Sequence, residues 1–316
     1  MLSRTAADLY WMSRYLERAE NLARMLEVSY LLSLMPQAGR TDGRTELAMS
    51  LLAAGTLEDY QERHGKLDSQ RMLHFFALDE TNPDSIYCCL QAARANAHAV
   101  RGRITADMWE NINATWLEMR NIANNGLGRY GISRFCEWVK ERSHLFRGAT
   151  SGTIMRNDAY SFIRLGTFLE RADNTLRLLD SRYEMFGEES EEVSDKSARG
   201  YFQWSALLRA LSSFEAFNEI YRNAPGAEQI SEMLLLRADV PRSLRACIEE
   251  LDQILSSLPN GNGRPAQRLA AELNARLRYT GIGEIFDSGL HLWLTDYIAH
   301  INHLGQTVHD SYLEVI

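Results

Sequence analysis

Apolar residues recur along this chain at steps of three and four. Leu9, Met12, Leu16, Ala19, Ala23, Leu26 and Tyr30 form one such run, which lays a single stripe down one face of a helix. The stripe predicts a long helix reaching about Leu34, opened by Thr5-Ala6-Ala7-Asp8, which reads as a capping box, and closed by Pro36 and Gly39. Further helices are expected near 44–54, 57–64 and 69–78. Asn82-Pro83-Asp84 supplies a cap, a proline at the first helical position and an acid in the first turn; its helix runs to about Arg101. Helices follow over Thr105–Asn124 and Ser133–Arg147. No sustained period-two run bounded by turns interrupts them, so the predicted class is all-α.

The same pattern contains a repeat. Tyr15-Leu16-Glu17-Arg18-Ala19-Glu20-Asn21 matches Phe168-Leu169-Glu170-Arg171-Ala172-Asp173-Asn174, and the match continues from Arg24 to Arg177, each position 153 residues apart. Asn82-Pro83-Asp84-Ser85-Ile86 parallels Val240-Pro241-Arg242-Ser243-Leu244 at an offset of 158. Between them Leu51, Glu58 and Tyr60 parallel Leu208, Glu215 and Phe217 at 157. Ordered segments at near-constant offsets argue for an internally duplicated helical bundle. The expected halves are 1–150 and 151–316, two multi-helix units packed about a pseudo-twofold axis over one shared core. The acidic run Glu188–Glu192 occupies the place of Pro36–Gly43 in the first half and is expected to be a solvated loop.

On a helical wheel, Glu17, Asn21 and Arg24 fall on one flank beside the apolar stripe, with Glu20 near them. Glu170, Asn174, Arg177 and Asp173 do the same in the second copy. Arg18 and Arg171 fall on a different side. Two readings stay open for this flank. It is a helix-surface network, in which Glu20 to Arg24 and Asp173 to Arg177 form i,i+4 pairs, or it is a polar pocket at the interface between halves that binds a ligand or a partner's chain.

Composition narrows the functional classes. With 34 Lys and Arg against 42 Asp and Glu, the net charge is −8 and the pI about 5.6. That balance disfavours the basic footprint of a nucleic-acid binder. The apolar runs Tyr30–Met35 and Met233–Leu236 fall far short of the ~20 residues of a spanning helix, and the N-terminus breaks into charges too early for a secretory signal. Cys88, Cys89, Cys136 and Cys247 contain no C-x-x-C and read as reduced thiols packed as small apolar residues, which fits a cytoplasmic protein.

Three other constellations bear on chemistry. Gly126-Leu127-Gly128-Arg129-Tyr130-Gly131 spells G-x-G-x-x-G but follows a helix rather than a strand, so it reads as a helix–helix turn whose glycines take positive φ. Glu141-Arg142-Ser143-His144 is the single Glu-x-x-His of the chain, and Glu284, Asp287, His291, His300 and His303 lie along one further helical stretch. A di-iron bundle needs two such motifs and two more Glu, so no metal is expected. Arg94, Arg101 and Arg103, with Trp109, Glu110 and Asn113, form a secondary candidate for holding an anionic or peptide ligand, or the edges of amphipathic helices.

YLERAEN and FLERADN, taken with the opening MLSRTAADLYW and the NPDSI segment, resemble the bacterial alpha-E family, an all-helical domain named for its ER motif. The resemblance covers essentially the whole chain, and the signature falls on Glu17, Arg18, Glu170 and Arg171. Members are typically encoded beside, or fused to, circularly permuted ATP-grasp proteins and transglutaminase-like proteases. The resemblance therefore implies a non-catalytic helical partner of an ATP-grasp ligase in peptide or amide-bond chemistry. ATP would be bound by the partner, with no cofactor on this chain. The alternatives are an enzyme using a paired Glu/Arg site and a purely structural scaffold.

Overall fold

The structure, a computed structural model, describes residues 1–33, 50–186, 198–258 and 261–314. The expected ends at Pro36 and Gly39, most of the 44–54 helix and the acidic Glu188–Glu192 run lie outside the described residues. In chain order the helices are α1 (Ser3–Ser33), α2 (Leu57–His64), α3 (Ser69–Ala77), α4 (Ile86–Ala99), α5 (Ala106–Asn125), α6 (Leu127–Tyr130), α7 (Ile132–Thr153) and α8 (Asp158–Phe186). They continue with α9 (Ala198–Ala210), α10 (Phe214–Tyr221), α11 (Ala227–Leu236), α12 (Leu244–Ser257), α13 (Arg264–Tyr279), α14 (Ile282–Asp287) and α15 (Leu290–Val308). The described residues contain no strand, and the fold is all-α. No helix is long and apolar enough to cross a membrane, among the described residues.

The two helices that carry the ER motif, α1 and α8, pack extensively on each other. A glycine lets them do so. A Cβ built on Gly166 would lie 2.3 Å from both Ser13 Oγ and the Tyr10 carbonyl oxygen, so only a residue without a side chain fits this approach. Contacts advance together along both helices, from Tyr10 and Ser13 with Gly166, through Arg14 with Glu170 and Glu17 with Arg171, to Met25 and Ser29 beside Leu178 and Ser181. The helices therefore run side by side in the same direction.

Each central helix has the same escort. α1 is flanked by α4 and α7, with α5 packed on both; α8 is flanked by α12 and α15, with α13 packed on both. Leu9, Met12, Ala19, Ala23 and Leu26 are buried as the stripe requires, and with Leu169, Ala172, Leu176 and Leu179 they belong to one continuous core.

Local chemistry shifts several boundaries. α1 begins at Ser3, so Thr5–Asp8 lie within its first turns and do not cap it. α4 is capped by Ser85, whose Oγ accepts from the Cys88 N–H at 3.1 Å, just as Ser243 caps α12 by accepting from Ala246 at 3.0 Å. Asn82 is not the cap because its side chain is engaged elsewhere: Nδ2 donates to the Phe75 carbonyl and Oδ1 accepts from the Asp84 N–H. In the glycine-rich turn Gly126 and Gly131 take positive φ, 76° and 89°, whereas Gly128 sits inside α6. The four cysteines are free thiols, three of them buried.

Candidate functional site

The ER dipeptides of the two central helices exchange partners. Arg171 donates to Glu17 through Nε at 2.9 Å and through a terminal nitrogen at 3.1 Å. Arg18 returns the arrangement, donating to Glu170 at 2.6 and 3.2 Å. The Glu of each motif thus binds the Arg of the other, the reciprocity that a local twofold relation produces. This corrects the wheel reading, which turned Arg18 and Arg171 away. A wheel ranks directions around one helix, but a long guanidinium side chain reaches across to a neighbour as close as α8 is to α1.

Beyond this exchange the two faces differ. On the Glu17 face, Arg242 enters from the start of α12 and donates to Glu17 at 2.9 Å, Glu20 at 2.7 Å and the Asn21 Oδ1 at 3.0 Å. Arg147 of α7 also reaches both Glu17 and Glu20, Ser143 donates to Glu20, and Arg24 closes its i,i+4 pair with Glu20 at 2.9 Å. Glu17, Glu20 and Arg242 are all buried. Burial pushes the Glu17 carboxyl up, but the Arg171 and Arg242 guanidiniums beside it outweigh that and hold it below the usual carboxylate range. Arg242 fills the space between Glu17, Glu20 and Asn21, and both carboxylates are saturated with donors.

On the Glu170 face the donors are Arg14 at 2.7 Å and Arg18. Burial pushes the Glu170 carboxyl up, and these two guanidiniums more than offset it, bringing it to about 2. The residue at the Arg242 position is Asp84, held by Arg18 at 2.5 Å. Asp173 pairs with Arg177 at 2.8 Å through one oxygen. A cavity of about 310 Å³ opens here, walled by Arg18, Asn21, Asp84, Glu170, Asn174 and Arg177, among others. Ala53, Ala54 and Gly55 line it too, small residues that leave it room; Gly55 has φ 68°, a conformation suited to glycine. The Asn21 and Asn174 amide nitrogens and the Asp173 Oδ1 are buried without a hydrogen-bond partner among the described residues. Asn21 is only 5% exposed, and its oxygen is already held by Arg242. Unpartnered buried polar atoms are uncommon and costly.

The flank residues Glu17, Asn21, Arg24, Glu170, Asn174 and Arg177 and the motif arginines Arg18 and Arg171 therefore meet at one interface. Glu17 and Arg171 belong to the closed face, with Arg24; Arg18, Asn21, Glu170, Asn174 and Arg177 line the cavity. Sequence reasoning missed Arg14, Arg147 and Arg242, although the alignment of Asp84 with Arg242 marked that position as one where the halves differ in charge. The secondary set lies apart. Arg94 donates to Asn113 at 3.0 Å and covers the Trp109 ring, while Arg101 and Glu110 are exposed. Among the described residues no three acidic, histidine or cysteine side chains converge as metal ligands would; His144 lies against Arg24, His291 against Asp180 and His300 against Arg276.

Comparison with known proteins gives the same family signature. Uncharacterised proteins of Mycobacterium bovis and of two strains of Mycobacterium tuberculosis are each 24% identical over 324 aligned residues, covering 95% of this chain and 35% of theirs. The chain thus spans about a third of the length of these curated relatives. No solved structure matches it. The Alpha-E family, described as a predicted alpha-helical domain with a conserved ER motif, matches residues 1–313, and with its two ER motifs exchanged across α1 and α8 the chain belongs to that family.

Proposed function

We propose that this chain is a non-catalytic helical partner of an ATP-grasp ligase in a peptide or amide-bond synthesis or modification system. Its exchanged ER pairs brace the centre, and the adjoining cavity receives a peptide segment. One observation carries the reading: the motif carboxylates are fully engaged by guanidiniums, while amide groups at the neighbouring cavity wall stand without partners. A general acid or base needs a proton to exchange near working pH, and a carboxyl held at about 2 between two arginines has none. The unpartnered amide nitrogens are donors and instead suit the C=O groups of a bound peptide.

The relatives support a joint role, since the matching stretch is 35% of each and is there joined to further polypeptide. The recurrent order of helices and flanking contacts supports a duplicated unit as its origin. The same reading assigns the chain to the cytoplasm, where four free thiols stay reduced.

Co-expressed with an ATP-grasp ligase, the chain is expected to co-purify with it and to raise its rate of amide-bond formation. Asn174→Ala combined with Arg177→Ala, both at the cavity wall, is expected to lower that rate about tenfold or more with an unchanged circular dichroism spectrum. A ligase that neither binds nor responds overturns the partnership; a rate indifferent to the double substitution overturns the site.

A further inference from the structure

The closed face records what the open face lacks. Position by position, Glu17, Glu20 and Asn21 on α1 correspond to Glu170, Asp173 and Asn174 on α8, and Arg242 before α12 corresponds to Asp84 before α4. Ser243 and Ser85 cap the two helices in the same way, so this correspondence is structural as well as sequential. On the closed face the Arg242 guanidinium occupies the space between the two acids and the asparagine. On the open face the arginine is replaced by a short acid, and the space is a cavity of about 310 Å³.

We infer that this cavity takes a guanidinium, the arginine side chain of a bound peptide, in the place that Arg242 fills on the opposite face. This rests on the reading of the cavity as a peptide site. Asp173, the counterpart of the Glu20 that binds Arg242, lines the cavity with a buried oxygen that has no hydrogen-bond partner among the described residues, and Asp84, paired with Arg18, adds a further carboxylate to the lining. A guanidinium presents five N–H donors in a planar fork, so it can satisfy two carboxylates and an amide oxygen together, as Arg242 does. The Asn21 and Asn174 amide nitrogens are donors and need acceptors instead. The backbone carbonyls of the arginine and of the residue before it supply them, which favours a peptide over a free cation. Lysine could not reproduce the fork, and citrulline would keep its shape without its charge.

Calorimetric titration of the full chain with N-acetyl-arginine amide, its citrulline and lysine counterparts, and free arginine tests this. The blocked arginine is expected to bind at least about tenfold more tightly than citrulline or lysine. It is also expected to bind more tightly than free arginine, whose α-ammonium group replaces the blocked amide; the reverse order would overturn the peptide source while keeping the guanidinium site. Asp84→Arg copies the closed face, filling the cavity from within, and should abolish binding without lowering the melting temperature. Asp173→Asn, which changes charge but hardly shape, should weaken binding about tenfold and serves if the first variant does not fold. No affinity for the arginine compound, equal affinity for citrulline, or binding unaffected by Asp173→Asn overturns the inference. Co-purification of the ligase would survive any of these failures, which separates this inference from the partnership above.

Discussion

A carboxylate can leave water only where donors replace the water it loses. Glu170 shows the consequence most directly, because its donors among the described residues are Arg14 and Arg18. Burial would raise its pKa, the two guanidiniums prevail, and the carboxyl sits at about 2, below the ~4.3 of an unfolded chain. A carboxyl depressed by folding contributes its full stability above the unfolded value and loses it as pH falls toward the folded one. The protein is therefore expected to weaken between about pH 5 and pH 2, by roughly 3 kcal/mol from Glu170 alone. Urea unfolding of the native chain and of Glu170→Gln at pH 7 and pH 3 checks this. The variant should be weaker at pH 7 and lose less on acidification; parallel losses in both would show that Glu170 is not the titrating group. The ER positions were legible as residues because they repeat at a fixed offset. Their pairing was not, since which guanidinium reaches which carboxylate depends on the distance between two helices, and no single-helix pattern contains that distance.

At the scale of elements the hydrophobic period located the helices well, because long amphipathic stripes are decided by burial rather than by fine local chemistry. α2 and α5 lie at or within a residue of the expected spans. The start of α4 was displaced because Asn82 and Ser85 are both competent caps, and only the tertiary bond from Asn82 to Phe75 decides between them. The parallel α1–α8 contact was likewise hidden, since its closest approach depends on one glycine in an otherwise ordinary helix. Gly166→Ala would set a methyl group against the Tyr10 carbonyl and Ser13 Oγ. Overpacking of this kind costs about 1–3 kcal/mol, which exceeds the ~1 kcal/mol that alanine usually gains over glycine within a helix. Gly148 is the control: it lies in α7, exposed, with nothing within 4 Å of a built Cβ. Gly148→Ala should raise the urea midpoint and Gly166→Ala should lower it. Shifts of the same sign would mean that helix propensity, not the close approach, governs position 166.

For the molecule as a whole, the decisive feature is that neither half completes its own centre. Residues 1–153 contain Glu17 and Glu20, but Arg171 and Arg242, which neutralise them, come from beyond Thr153. Separated from α8, the side of α1 that packs on it would face water, and Glu17 would keep Arg147 but lose Arg171 and Arg242. The exchange suggests how such a half would respond. Glu17 binds Arg171, which corresponds in sequence to Arg18, and Arg18 binds Glu170, which corresponds to Glu17. Two copies of residues 1–153, set with their α1 helices side by side in the same direction, could therefore make both Glu17–Arg18 pairs between themselves, each contact occurring twice as an isologous interface demands. The fragment is expected to sediment as a helical dimer, and Glu17→Arg should return it to an unfolded or monomeric state. A folded, stable monomer of residues 1–153 would show that the centre is not shared. The intact chain is expected to melt in one calorimetric transition with matching van't Hoff and calorimetric enthalpies, because the core that spans α1 and α8 cannot be opened on one side alone.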